Sequence, residues 1–303
     1  MRELLEKRVV LMAGKGGVGR TTLTAALGSA AASQGKRTLL ADLQESTVER
    51  PSSLAQLFNR RQLPKIPEEV MPGVDATLIQ TEWGTELFLR SVFKNRSVVA
   101  MAMRSKSLQR LLHAAPSFRE MGMFFHLLHL VSATRDNGAP LYDKVIVDLP
   151  ATGHALAMTS LPDIMLSLIS SGPVARAFQE GQLLFQNPGT TATWVVTLPE
   201  LLPVTECIEL LQGLQDSRMP IGGVILNRRP TDPFSAAEWQ RLDQWRKTEK
   251  SLGQRKLDQL RLASSARATL GGQVQLPILT LPELAHEGLP LVQGLAQLLA
   301  EGA

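Results

Sequence analysis

The chain has 303 residues, 44% of them hydrophobic and 20% charged, which is enough to bury a substantial core and excludes a disordered tail or a disulfide-stapled miniprotein. Its single cysteine, Cys207, excludes an internal disulfide, a four-cysteine zinc cage and a three-thiol arsenic site, and predicts a reducing compartment. A formal charge of +4 does not mark a nucleic-acid binder, and nucleic acid is not an expected partner. With the opening MRELLEKR and no apolar run of about 18 residues, the reading is a cytoplasmic chain without a transmembrane segment.

In chain order, β-rich runs fall at 8–13, 37–41, 75–81, 144–148, 192–197, 222–227 and 276–280, with helical stretches between them. Near-continuous apolar strands separated by helices predict an α/β fold: one doubly wound domain over 1–303, built on a mostly parallel sheet of seven or eight strands. Pro51, Pro64, Pro67 and Pro72 mark an irregular connection before the third run. Two helical stretches without strand signals, about 82–135 and 228–272, read as insertions.

Directly after the first strand comes GKGGVGRTT, Gly14 to Thr22, and then an alanine-rich run that favours a helix. Gly14, Gly16, Gly17 and Gly19 allow the backbone N–H groups to turn inward, and the following helix adds its positive end. Together with Lys15, Val18, Arg20, Thr21 and Thr22 they form a candidate phosphate loop for ATP or ADP. The Thr21 hydroxyl is a candidate Mg²⁺ ligand, as is Asp148, where KVIVD ends the fourth run. Asp42 ends the second run; it is either a cap or turn former or a further candidate carboxylate at the Mg²⁺ site.

These strings resemble one family. Lys15 ahead of the glycines matches KGGxGK[ST], the deviant phosphate loop of ParA, MinD and arsenite-pump type ATPases. Asp148, Pro150, Ala151, Thr152, Gly153 and His154 resemble the DTAPTGH switch of the arsenite-pump and tail-anchored-protein targeting ATPases, with proline and alanine exchanged. The resemblance implies a Mg·ATP-dependent dimer in which Lys15 reaches the partner's phosphates, Arg20 replaces the lysine beside the β and γ phosphates, and Asp42 positions water. It further implies that Asn227 reads adenine and that Leu281 and Pro282 lie beside the base. Arg20 keeps the charge but widens the head group, and LQESTVERPSS replaces the family's PAHN string after Asp42. No CxxC is present, so the dimer-clamping zinc of the eukaryotic targeting factors is not expected.

Residues 82–132 occupy the place of the family's client groove, which implies a hydrophobic client or membrane-associated protein as partner and, with it, peripheral membrane association. Met121, Phe124, Phe125, Leu128 and Val131 share one helical face, and Phe88, Leu89, Val92 and Phe93 another. Such stripes serve either the core or a binding surface. Seven basic residues and no acid lie between Glu86 and Glu120, a pattern of either a solvated face or a surface for anionic partners. Trp239 and Trp245 are expected to dock the second insertion on the first. The leading reading is an ATP-hydrolysing homodimeric switch. The alternatives are a non-hydrolysing regulator or heterodimer subunit, and a MinD- or ParA-like positioning ATPase.

Overall fold

A computed structural model describes residues 2–43, 51–92, 95–105, 116–150, 161–167, 171–246 and 253–301. Eight strands form one sheet: β1 (Val9–Gly14), β2 (Thr38–Asp42), β3 (Glu68–Met71), β4 (Val74–Leu78), β5 (Lys144–Asp148), β6 (Thr191–Thr197), β7 (Ile221–Arg229) and β8 (Ile278–Pro282). Their spatial order is β3-β4-β2-β5-β1-β6-β7-β8, and every pairing is parallel except β3 with β4. The expected doubly wound α/β architecture is therefore present, with eight strands.

Seven strands coincide with the apolar runs to within a few residues, because the inner strands are covered on both faces and need side chains that are apolar throughout. The eighth, β3, was not anticipated: EEVM is largely solvent-facing and pairs antiparallel with β4 at the sheet's edge. Gly73, at φ 75°, turns the chain between the two.

Helices α1 (Arg2–Glu6), α2 (Arg20–Ser33) and α3 (Ser53–Leu57) precede β3, and α4 (Thr81–Val92), α5 (Arg96–Arg104) and α6 (Pro116–Ser132) follow β4. Further helices are α7 (Pro173–Phe185), α8 (Leu201–Asp216), α9 (Ala236–Arg246), α10 (Gln254–Gln273) and α11 (Gly288–Glu301). One apolar layer joins Val10, Met12, Leu40 and Ile146 to α2 and α11; the opposite layer joins Leu11, Leu39, Val145 and Val147 to α6, α7, α8 and α10. Alternation along each strand then decides which end residues face α2.

The stripe on α6 belongs to the core. Met121, Phe124, Phe125, Leu128 and Val131 are all buried, and Phe124 stacks on Phe178 of α7 with ring centroids 5.6 Å apart. On the other proposed face, Leu89 is buried, and Phe88 packs on Phe125 at 4.7 Å. Gly84 of α4 lies against the Gly122 carbonyl of α6, and Gly122 against the Thr81 carbonyl, so closely that a Cβ on either would collide with backbone. The α4–α6 pair is thus backbone against backbone, with little room for a ligand between the two helices.

The second insertion holds mainly to its own surroundings. Trp239 packs edge-on against Phe234, donates its indole N–H to Asp232 at 2.8 Å and lies under the Arg261 guanidinium of α10. Leu270 and Ala266 anchor α10 in the same core layer as α8. The expected docking of the Trp239 helix on the first insertion gives way to this local cluster: Phe234 and Asp232, five and seven positions earlier, already satisfy the indole.

Candidate nucleotide site

Gly14 closes β1, and the loop that follows turns into α2 at Gly19. Gly17 and Gly19 sit at φ 84° and 89°, a left-handed conformation that costs a side-chain-bearing residue strain. Gly19 is also constrained by space, since a Cβ there would strike the Asn227 amide. The N-cap of α2 is Gly19, which has no side chain to cap the helix, and the positive end of the helix dipole is directed at the loop. Gly16 and Gly17 are exposed, whereas Val18 is buried in the α2 layer and props the loop from beneath.

Asp42 and Asp148 stand opposite each other in register at the carboxyl ends of β2 and β5. Leu40 and Ile146, two residues earlier on each strand, belong to the α2 layer, so both carboxylates face α2 and the loop. Both are fully buried. The Thr21 hydroxyl donates to Asp148 Oδ2 at 2.6 Å, joining the first turn of α2 to the end of β5. The Leu43 N–H on the Asp148 carbonyl at 3.1 Å ties the two strand ends together, and the Ile79 N–H on the Asp42 carbonyl at 2.8 Å ties the end of β4 to that of β2.

Arg20 lies in the same cluster. Its Nε donates to Asp148 Oδ1 at 2.5 Å, and one Nη to the Gly14 carbonyl at 2.8 Å. The side chain is thus folded beneath the loop, and the residue is 8% exposed. Lys15 extends the other way and pairs with Glu206 of α8, Nζ to Oε1 3.1 Å, with both side chains partly in solvent. Sequence reading did not identify Glu206, which lies 191 positions from its partner without any motif of its own.

A cavity of about 270 Å³ opens beside α2, lined by Gly19, Thr22, Asn227, Pro282, Glu283 and, unforeseen in the sequence, Arg228 and His286. Asn227 reaches it from β7, where its Nδ2 donates to the Val18 carbonyl at 2.9 Å and so ties the loop to β7. Pro282 is at the rim; the Leu281 side chain points away, into the core layer of α2. The cavity meets the loop at Gly19 and Thr22, both of which line it. Ala151, Thr152, Gly153 and His154, expected from the sequence to form a switch, lie outside the described residues.

Thr21 and Asp148 offer hard oxygen donors of the kind Mg²⁺ takes, few in number as suits an ion that retains water and phosphate ligands. Among the described residues no three His, Cys, Asp or Glu converge as an all-protein cage. The donor set therefore fits a cation bound jointly with phosphate.

The sequence profile of the anion-transporting ATPase family matches residues 7–180, more than half of the chain, and includes the loop, both carboxylates and the first insertion. ATPase BagA of Mycobacterium tuberculosis is 33% identical over 243 residues, or 76% of this chain and 69% of that protein. ATPase GET3 of Komagataella phaffii is 25% identical over 261 residues, 72% of each chain. ATPase GET3C of Arabidopsis thaliana is 24% identical over 271 residues, 74% of this chain and 67% of that protein. With a glycine loop between β1 and α2, paired carboxylates at the adjoining strand ends and a profile that covers them, the chain belongs to the anion-transporting ATPase family.

Proposed function

We propose that this ATPase is a dimeric switch whose single nucleotide-binding unit holds Mg·ATP between Gly14 and Thr22 and couples the γ-phosphate to a partner-binding surface. The observation that carries the reading is the contact between Thr21 and Asp148, which brings the start of α2 and the end of β5 to one point beside the left-handed glycines. Backbone N–H groups from residues 16–21 hold the phosphates, Arg20 adds charge, and Asn227 and Pro282 bound the base. Thr21 and Asp148 hold the cation, which when bound neutralises charge that develops on the phosphates. Asp42, buried in register with Asp148, orients the attacking water and accepts its proton.

Lys15 is the residue assigned to the partner subunit's phosphates. Its pairing with Glu206 is half exposed, a contact worth under about 1 kcal/mol, so a facing triphosphate outcompetes it. Homodimerisation is the reading; a paralogue as second subunit uses the same surface. The partner surface is assigned to α5, where Met101 is 69% exposed and Arg104 is also exposed, features suited to an apolar client or a membrane-associated protein with anionic groups around it. No described helix is long and apolar enough to cross a membrane.

Sedimentation velocity in a slowly hydrolysed ATP analogue with Mg²⁺ tests the switch. A dimer with the analogue and a monomer with ADP are expected, and Lys15→Ala abolishes the difference while labelled nucleotide still binds. Unchanged ATP-dependent association in Lys15→Ala contradicts the cross-interface role.

A further inference from the structure

We infer that Arg20 is a latch on Asp148, a positioning residue that withholds this carboxylate until nucleotide and divalent cation arrive together. The inference rests on the phosphate-loop reading above and concerns what one side chain of this protein does to it.

Both oxygens of Asp148 are taken. Oδ1 accepts from Arg20 Nε at 2.5 Å and Oδ2 from the Thr21 hydroxyl at 2.6 Å. The guanidinium also holds the Gly14 carbonyl at 2.8 Å and, more weakly, the Pro150 carbonyl at 3.4 Å. It therefore bridges two chain segments, the end of β1 and the end of β5 with the residues that lead out of it. A planar fork can reach three acceptors at once, whereas an ammonium is a point charge that satisfies a compact group of them. With 8% of Arg20 exposed and Asp148 fully buried, water offers neither ion a substitute partner.

Neither partner leaves alone. If Arg20 moved to an incoming triphosphate without a cation, Asp148 would remain charged and buried without its counterion. A cation approaching Asp148 without phosphate would leave Arg20 in that position. The exchange is favourable when both ligands are present: phosphate takes the guanidinium, and Asp148 turns to the cation or its water. Movement of Arg20 also releases the Pro150 carbonyl. The consequence is a Mg²⁺ requirement for nucleotide binding set higher than the donor oxygens alone would give.

The test is a Mg²⁺ titration of fluorescently labelled ATP binding to the full chain, wild type against Arg20→Lys, read as the half-saturating Mg²⁺ concentration. The latch predicts a midpoint about tenfold lower in Arg20→Lys, comparable to one charge-assisted hydrogen bond removed from the competition. Saturable uptake with equal midpoints overturns the latch and leaves the phosphate-loop reading standing; no saturable uptake in either protein overturns both. A second measurement does not depend on the variant folding. By NMR, the Arg20 Nε–H of the wild type is slow to exchange with solvent in the free protein and shifts when ATP and Mg²⁺ are added together, but not with either alone. An unchanged resonance in the presence of both overturns the inference.

Discussion

The two ends of β5 carry buried ions of opposite sign four residues apart, and they are held in different ways. At the amino end Lys144 is fully buried and donates to the backbone carbonyls of Leu4 and Lys7, closing the last turn of α1 as Lys36 does through Leu5. At the carboxyl end Asp148 is equally buried but is held by the side chains of Arg20 and Thr21. Carbonyls of a docked helix cannot move without undoing the helix, whereas an arginine and a hydroxyl can each be drawn to a ligand. Burial alone therefore does not separate a structural ion from a functional one; the mobility of its partners does.

Breaking the carboxyl end has the largest expected effect. Asp148→Ala leaves the Arg20 guanidinium buried without its counterion, which costs about 3–5 kcal/mol of stability and removes turnover. A double Arg20→Met, Asp148→Leu variant recovers most of that stability in urea unfolding while remaining inactive. If the double variant is as unstable as the single one, the ion pair is not what the single variant broke.

At the amino end, Lys144→Met strands two carbonyls but also relieves a buried charge, for a net loss of about 2 kcal/mol with nucleotide uptake unchanged. A parallel loss of uptake would contradict the division between the two ends. Lys144 also has a pH signature, since burial lowers its ammonium pKa from 10.5 to about 7. Between those values the unfolded chain binds the proton that the folded chain has released, so stability rises with pH across this window, by at most about 1.4 kcal/mol per unit. In Lys144→Met this rise disappears from the urea midpoints.

His126 of α6 supplies a second pH limb of the same sign. Burial pushes its pKa from 6.5 down to about 4, and its Nδ1 accepts the Gln80 N–H at 3.0 Å. The folded protein keeps this ring neutral while the unfolded chain takes up a proton, so stability falls as pH drops from 6.5 towards 4 and levels off below. His126→Gln flattens that limb; an unaltered acid profile assigns the loss to other groups. The smallest effect belongs to Glu206→Gln, which costs under about 1 kcal/mol because the Lys15 pair is half in solvent. That variant sharpens the account by leaving Lys15 ready for a partner subunit, with ATP-dependent dimerisation retained.

The sheet was legible wherever both faces are covered, because such strands must be apolar throughout, and it failed at β3, where an edge strand carries Glu68 and Glu69 to solvent. The order of strand, glycines and helix made the loop legible, whereas the hydrogen bond between Thr21 and Asp148, two residues read separately as Mg²⁺ candidates, spans 127 positions and comes from the fold. The partners of the loop's two cations were not legible. Arg20 finds Asp148 at a separation of 128 residues and Lys15 finds Glu206 at 191, contacts that only the folded sheet creates. Periodicity likewise showed that Phe124 and Phe125 share a face of α6 without showing what covers it; Phe178 of α7 does.

The most direct test of the central claim is an equilibrium titration of labelled ATP with Mg²⁺ into wild type and Gly19→Ala, the substitution that would strain a left-handed residue and press on the Asn227 amide. Saturable uptake by the wild type, lost in a variant that still unfolds cooperatively, is the predicted result. Undiminished uptake by Gly19→Ala, or none by the wild type, would contradict a phosphate site in this loop.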